Sequence, residues 1–517
     1  MEMNQKKETS IVEKSASISL IVIIGKVLGF IKQAVIAWAF GANSMTDVYF
    51  AADGYSSMFG QIMSQTVGST VLTQYIHLNE RGEEKASKKL IRDSYVFFAS
   101  LSLIVIFINY LFADKICGVI GISYSSEQRA ELKYFLVAML PVMLFTSMIG
   151  VSSGYLDSHN RFLPGRLTSL FFSISIIFFV VFFKEQLGLR AFLYGFLLGY
   201  IFHMILMLAL VLPKVGIGRS NPFNNPEFVV MIKRFLPLVI GISVVDLGHL
   251  VDKMVASSLE SGSVSALHYG QVISSDIVSS IIISSVGTVF LTSITRSVET
   301  ELDVSKLKIK LLNIMSAMTF VVAGITALYF VEGTDLIRFF FQRGSFDGSN
   351  TALVSSVATS YSVGFVFSAN RDILVKAHYA FKDTKSPMIN SIAGVVVNAI
   401  LSIVLAKIMG IAGVALATSI AMIFVFVMSA ITLKKHIKEF ILEKSFFIDF
   451  LKSLISVVIT VLIGKVVFSF LGNINYFVRM IIIGISMCAL YFTIAIILHE
   501  ETAIGLIKNK ITKTQLL

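Results

Sequence analysis

The sequence predicts an all-α polytopic membrane protein, and three observations predict it. Of the 517 residues, 55% are hydrophobic, with a mean hydropathy of +0.81. Only 15% are charged, against roughly 25% in a soluble domain, too few to clothe a water-exposed surface of this size. Apolar runs recur along the whole length, most of about 20 residues or more, which at about 1.5 Å per residue spans a hydrocarbon core of about 30 Å. Lipid offers the backbone no hydrogen bonds, so only helices or a closed barrel cross it. The runs are continuous rather than alternating, which selects helices.

About fourteen transmembrane helices are expected, near 15–40, 46–76, 90–113, 130–156, 162–183, 190–212, 230–257, 264–294, 309–331, 350–376, 387–407, 411–433, 448–471 and 477–498. The first run follows a polar start (Lys6, Lys7, Glu8) and no small-residue cleavage site follows it. It is therefore expected to stay as a helix rather than leave as a signal peptide. The longest loops, around 213–230 and 331–349, are too short for a domain. Function must then sit in the membrane or at its faces.

Loop charge sets the expected orientation. Lys and Arg gather at the N-terminus and in the even-numbered loops, as in Arg81/Lys85/Lys88/Lys89/Arg92, Lys306/Lys308/Lys310 and Lys434/Lys435/Lys438. The positive-inside rule puts those loops and both termini in the cytoplasm, across a cytoplasmic (plasma) membrane. The net charge of +11 then follows from topology and calls for no nucleic-acid partner.

A weak repeat sets the expected architecture. Without gaps, residues 29–73 align with 248–292: Gly29 on Gly248, Ala37 on Ala256, Ser44 on Ser263, Ile62 on Ile281, Val67-Gly68 on Val286-Gly287 and Leu72-Thr73 on Leu291-Thr292. The first and seventh spans point the same way, which implies two parallel six-helix lobes around a central cavity. The lobes are expected at 1–220 and 221–440, with two additional helices and a cytoplasmic tail at 441–517. This is a plan that transporters use.

Ionisable residues inside spans mark candidate sites, because a lysine at mid-bilayer costs at least about 2.5–3.5 kcal/mol. The first span carries Lys26 and Lys32, six positions and roughly 120° apart on an ideal helix; a bend at Gly25 and Gly29 would bring them together. They read either as cations lining a cavity for an anionic substrate or as lysines paired for packing. The second span carries Asp47 and a stripe of Asp53, Ser57, Gly60, Ser64 and Gly68. The serines and glycines read as a helix–helix contact face, and Asp53 as part of a hydrated face. The seventh span carries Asp246, His249, Asp252 and Lys253. The acids and the histidine could bind a coupling cation or relay protons, or an internal Asp–Lys pair could neutralise itself. Arg371 and Lys376 are expected near the cytoplasmic surface, and Lys465 has no partner evident in the sequence. No catalytic constellation, metal-ligand spacing or phosphate-cradling loop appears. Cys117 and Cys488 match no redox spacing. A transporter without cofactor is expected, not an enzyme; a membrane-embedded glycosyltransferase, which can use isolated acids, is the alternative that the short loops oppose.

Specific stretches carry a family resemblance. Gly25-Lys26-Val27-Leu28-Gly29-Phe30-Ile31-Lys32, Phe40-Gly41-Ala42 and Thr46-Asp47-Val48-Tyr49-Phe50 are one set. Phe341-Gln342-Arg343-Gly344-Ser345-Phe346-Asp347, Tyr379-Ala380-Phe381-Lys382-Asp383-Thr384-Lys385-Ser386-Pro387 and Gly413-Val414-Ala415-Leu416-Ala417-Thr418-Ser419 are another. Over about 15–435 the chain resembles the lipid II flippase family (MurJ, also called MviN) of the multidrug/oligosaccharidyl-lipid/polysaccharide exporter superfamily. The resemblance implies fourteen spans and alternating-access transfer of an undecaprenyl-pyrophosphate-linked cell-wall precursor to the outer leaflet. It implies substrate contacts at Lys26, Lys32, Asp47, Asp53 and Gln61, where Lys26 and Lys32 stand for family arginines. Coupling to protons, sodium or membrane potential would fall to Asp246, His249 and Asp252. Membrane lipids and the cell-wall synthesis machinery are the implied partners. The family's arginine pair in the second span is Gly60-Gln61 here, its nearby glutamate is Gln65, and the arginine expected after Tyr269-Gly270-Gln271 is Val272. These departures leave open a flippase for another lipid-linked oligosaccharide, of capsule or exopolysaccharide. A cation-coupled multidrug exporter is a further alternative that the two lysines oppose.

Overall fold

The computed structural model describes residues 2–216, 218, 220–276, 304–437, 444–471, 474–500 and 502–504, with side chains from residue 21 onward. Among these residues there are helices and no strands, as lipid demands. In order they are α1 (Glu2–Phe40), α2 (Ser44–Glu80), α3 (Glu84–Leu111), α4 (Ala113–Ile120), α5 (Ser126–Met139), α6 (Val142–Ser158), α7 (Leu163–Arg166), α8 (Thr168–Leu187), α9 (Arg190–Val215), α10 (Pro226–Ala256) and α11 (Ser263–Gln271), which runs into a π-turn at Val272–Asp276. Then come α12 (Val304–Phe341), α13 (Gly348–Ser362), α14 (Phe365–Ala380), α15 (Lys385–Met409), α16 (Ile411–Leu433), α17 (Lys444–Phe470) and α18 (Tyr476–Ile497).

Ten helices among the described residues are long and apolar enough to cross a membrane, and an eleventh crossing is the pair α13–α14, bent by 45°. The exact count of fourteen is therefore not reached. The expected second span is the helix α2, loaded with Ser, Thr, Gln and two aspartates, and it falls short on apolarity. The expected seventh is α10, several of whose side chains lie outside the described residues. The expected eighth, 264–294, begins as α11, and its remainder lies outside them. The expected fourth span is two helices, α5 and α6, interrupted at Pro141, which has no N–H to continue the ladder.

The chain divides into two compact units, Met1–Ser265 with Arg343–Phe346, and Ala266–Gln342 with Asp347–Leu517. In the first, α2 is central and packs on α6, α10, α5 and α3, while α8 pairs with α9 and α1. In the second, α12 is central and packs on α17, α13, α14 and α18, while α16 pairs with α15.

Two hairpins share one local geometry. The α8–α9 hairpin turns on Gly188 (φ 56°, ψ −137°) and the α15–α16 hairpin on Gly410 (φ 59°, ψ −140°). This backbone region is closed to residues with a Cβ, so the two sharp turns require glycine.

Polarity is inverted relative to a soluble protein. Phe178, Phe182, Ile400, Ile408, Phe470 and Ile485 are exposed, whereas Asp93, Ser94, Ser147, Ser152, Asn370 and His378 are buried. Each of these six residues makes a hydrogen bond inside the bundle. Asp93 accepts from Ser220 Oγ (2.7 Å), Asn221 N (3.1 Å) and Asn225 Nδ2 (2.7 Å). It thereby fixes the link into α10, whose N-terminus Asn225 caps. Tyr95 and Ser152 join α3 to α6 at 2.7 Å, and Ser102 and Ser147 do so at 2.8 Å.

The small-residue stripe of α2 is the contact face expected of it. Gly60, Ser64 and Gly68 lie against α6, and a Cβ on Gly154 would stand 2.7 Å from the Gly68 carbonyl oxygen. Gly154→Ala must therefore push two backbones apart, at a cost of about 1–3 kcal/mol. Thermal unfolding in detergent should show a clear fall in Tm for Gly154→Ala. Gly484→Ala on α18, where a Cβ meets nothing within 4 Å, should leave Tm unchanged or raise it.

Candidate functional site

The α1–α2 turn is held by two sets of hydrogen bonds, both within the first unit. Asn43 caps α2 reciprocally: its side chain accepts from Met45 N and Thr46 N, while Thr46 Oγ1 accepts from Asn43 N at 2.9 Å. The next residue, Asp47, is buried and turned outward from its own helix. Its Oδ2 accepts from Gly262 N, and its Oδ1 accepts from Ser265 N and Ser265 Oγ, all at 2.7 Å. Asp47 is thus the N-cap of α11, supplied from a distant helix. The carboxylate meets orphan N–H groups at the positive end of that helix. Ser265 Oγ also lies 2.9 Å from Thr46 Oγ1. Thr46 and Ser265 occupy equivalent positions in the sequence repeat, so the two copies of the helix–turn–helix touch at matching residues.

The second set comes from one of the stretches that carried the resemblance. Ser345 donates its N–H to the Trp38 carbonyl (2.9 Å) and its hydroxyl to the Ala39 carbonyl (3.1 Å). These carbonyls belong to the last turn of α1, which the helix itself cannot satisfy. Asp347 then caps α13 through Asn350 N. The other stretch also turns on an aspartate: Asp383 accepts from Ser386 N at 3.0 Å and pairs with His436 at 2.9 Å. Burial pushes the Asp383 carboxyl up, but the Ser386 N–H, His436 and the Ser386 side chain outweigh it and hold the group well below the usual carboxylate range.

The cationic candidates meet different fates. α1 is continuous through Gly25 and Gly29, without the break that would bring Lys26 and Lys32 to one side. Lys26 is exposed; Lys32 is half-buried, with its ammonium 4.2 Å from the centroid of the Phe172 ring of α8. Lys253 is buried and donates to the Phe50 carbonyl at 3.0 Å, in the space left by Gly54. Asp53, half-buried one turn away on α2, accepts from Ser57 Oγ (2.8 Å) and acts electrostatically on Lys253. Lys253 thus lies on the segment of α2 that carries Asp53. On α10, Asp246 and His249 are half-buried and Asp252 is buried. Gln61 is exposed, and Gly60 packs on Val142 and Thr146. Arg371 pairs with Asp372 at 3.4 Å, and Lys465 is exposed. Among the described residues no group of His, Cys, Asp and Glu could hold a metal ion.

Sequence reasoning picked out Asp47 without its partners. The repeat register contained the signal, since it sets Thr46 on Ser265. The Phe50 carbonyl was invisible in sequence, because any backbone oxygen can serve. Glu332, Asp335 and Arg479 were also passed over. Acids at 332 and 335 just past the expected end of an apolar run were the visible sign.

Known proteins agree with this architecture. The chain is 25% identical over 426 residues to the probable lipid II flippase MurJ of Rhizobium tropici, covering 80% of this chain and 79% of that one. It is 25% identical over 480 residues to the probable lipid II flippase MurJ of Buchnera aphidicola, covering 90% and 92%. Its fold matches a solved structure of lipid II flippase MurJ in an inward closed conformation, with TM-score 0.78, 23% identity, and 93% and 98% of the chains covered. It also matches an inward-facing multidrug resistance MATE transporter of the MOP superfamily, with TM-score 0.66, 13% identity, and 80% and 95% covered. The family described as Lipid II flippase MurJ matches residues 36–512, and this multi-pass membrane protein belongs to that family.

Proposed function

We propose that the protein is a lipid II flippase of the cytoplasmic membrane, carrying the polyprenyl-pyrophosphate-linked precursor from inner to outer leaflet by alternating access of its two repeat-related lobes, 1–220 and 221–440. The observation that carries this reading is the family match over 36–512. Lys26 and Lys32 supply the positive charge a pyrophosphate needs, with Asp53 and Gln61 as further polar contacts. The pair of helices in 441–517 accommodates the lipid. With both termini in the cytoplasm, the α1–α2 turn faces outward, so the bonds from Asp47 to Gly262 and Ser265 are the outer gate in its closed state. Opening must break three charge-assisted bonds, each worth about 1.5–3 kcal/mol when buried. Coupling runs through Asp246, His249 and Asp252, to protons, sodium or membrane potential. No catalytic step is part of this function.

A second reading rests on one observation: Gly60 is packed against α6 and Gln61 is neutral, so α2 lacks the family's cationic pair. A flippase for another lipid-linked oligosaccharide fits that loss.

Complementation separates the two. In bacteria depleted of their lipid II flippase, this chain should restore lipid II to the outer leaflet. Lys26→Ala and Lys32→Ala should each cut the export rate about 10–100-fold, as expected for losing a charged hydrogen bond of about 1.5–3 kcal/mol. Lys26→Glu should abolish export at normal expression. Export unaffected by Lys26→Glu would remove that residue from the substrate path, and failure of well-expressed wild type would favour the second reading.

The gate has its own test. With Cys117 and Cys488 replaced by serine, a cysteine at Ser263 should react slowly with a membrane-impermeant maleimide added outside. Asp47→Ala should raise that rate at least about tenfold, the factor for about 1.4 kcal/mol. An unchanged rate would show that Asp47 does not hold the outer face shut.

A further inference from the structure

In the second unit, three helices converge on a group that none of the function above uses. Glu332 of α12 is 2% exposed, and neither of its carboxylate oxygens has a hydrogen-bond partner. Asp335, one turn further along α12, is equally buried and holds Arg479 of α18 in a two-pronged pair, Nε to Oδ2 at 2.7 Å and Nη2 to Oδ1 at 2.8 Å. The same guanidinium lies 4.3 Å from the ring centroid of Phe468 on α17. Gly464 of α17 lies against Val331 and Met487, closing the third side.

Among the described side chains, other charges lie elsewhere. Arg338 on α12 is exposed over the Tyr476 ring. α13 carries no charged side chain. The charges of α14 start at Arg371, next to Asn370, which bonds Thr319, thirteen residues and about 20 Å down α12 from Glu332. On α17, Lys465 is exposed, and Asp449 and Lys452 pair with each other well over two turns from Gly464. Tyr491 of α18 bonds the Phe320 carbonyl, also far down α12. Among the described side chains the local balance is two acids against one arginine.

We propose that Glu332, Asp335 and Arg479 form a proton-binding site in which Glu332 carries the proton. A charged carboxylate buried without donors is prohibitively costly, and the group neutralises instead. One proton brings the cluster to zero net charge. A metal cation is a poor alternative, because a hard ion wants about six oxygen ligands and the Glu332 oxygens have no polar neighbour within bonding distance. Release of the proton leaves one uncompensated negative charge buried between α12 and α18, a charge that hydration would stabilise, so it favours opening of that contact. Proton occupancy thereby governs how the C-terminal helix pair seats on the second unit. Its service as the coupling step rests on the flippase reading; the occupancy itself does not.

Infrared spectroscopy of the purified protein in lipid tests occupancy without any substrate. The difference between wild type and Glu332→Gln at neutral pH should contain the C=O band of a protonated carboxyl, shifted in heavy water. In Asp335→Asn the arginine is freed for Glu332, so that band should vanish. A wild-type-minus-Gln difference showing only ionised carboxylate overturns the proposal. A band that survives in Asp335→Asn overturns the charge-balance account of it. Failure of complementation with the infrared result intact would instead count against the flippase reading alone.

Discussion

A carboxylate that cannot reach water must be given donors, and in this protein Asp47 is where that requirement organises the most structure. Its three bonds to Gly262 and Ser265 close the N-terminus of α11 with a side chain from α2. Neither end could be left alone, since α11 begins with unmet N–H groups and Asp47 would be an unpaired buried charge. Each solves the other's problem only while the two turns are in contact. The stability of this contact and the means of undoing it are therefore the same bonds.

The same logic of mutual satisfaction runs through the first unit. Ser345 covers the last carbonyls of α1, Asp93 gathers the link into α10, and Lys253 takes the Phe50 carbonyl. Buried within the bundle, Asp93 and Lys253 meet little aqueous competition for these bonds. Dispersion between closely approaching backbones then does what hydrophobic burial does in water. Gly154 against the Gly68 carbonyl is one such case. The lipid-facing surface needs only to be apolar, which is why Phe182 and Ile408 stand exposed.

Charges divide by what surrounds them. Lys26 and Lys32 lie on different faces of a continuous α1, one exposed and one over Phe172. Lys253 and Arg479 are instead locked into protein, the first on a backbone oxygen, the second on Asp335. A lysine offered to a mobile substrate has to keep its donors uncommitted to rigid backbone. Lys253, held on the Phe50 carbonyl, does not meet that requirement.

The sequence by itself determined the class of structure. Helical spans, most of their limits and the repeat follow from apolar run length and residue spacing, which lipid reads directly. It also singled out Asp47, Lys26 and Lys32, because an ionisable residue in an apolar run stands out with no knowledge of its neighbours. The contact role of Gly60, Ser64 and Gly68 was legible for the same reason, from their spacing along one helical face. Tertiary structure alone decided the partners. Nothing local in the chain joins Asp47 to Ser265, Lys253 to Phe50, or Arg479 to Asp335 rather than Glu332. Whether a buried charge is satisfied depends on atoms brought within about 3 Å from residues a hundred or more positions away, and only packing sets that distance.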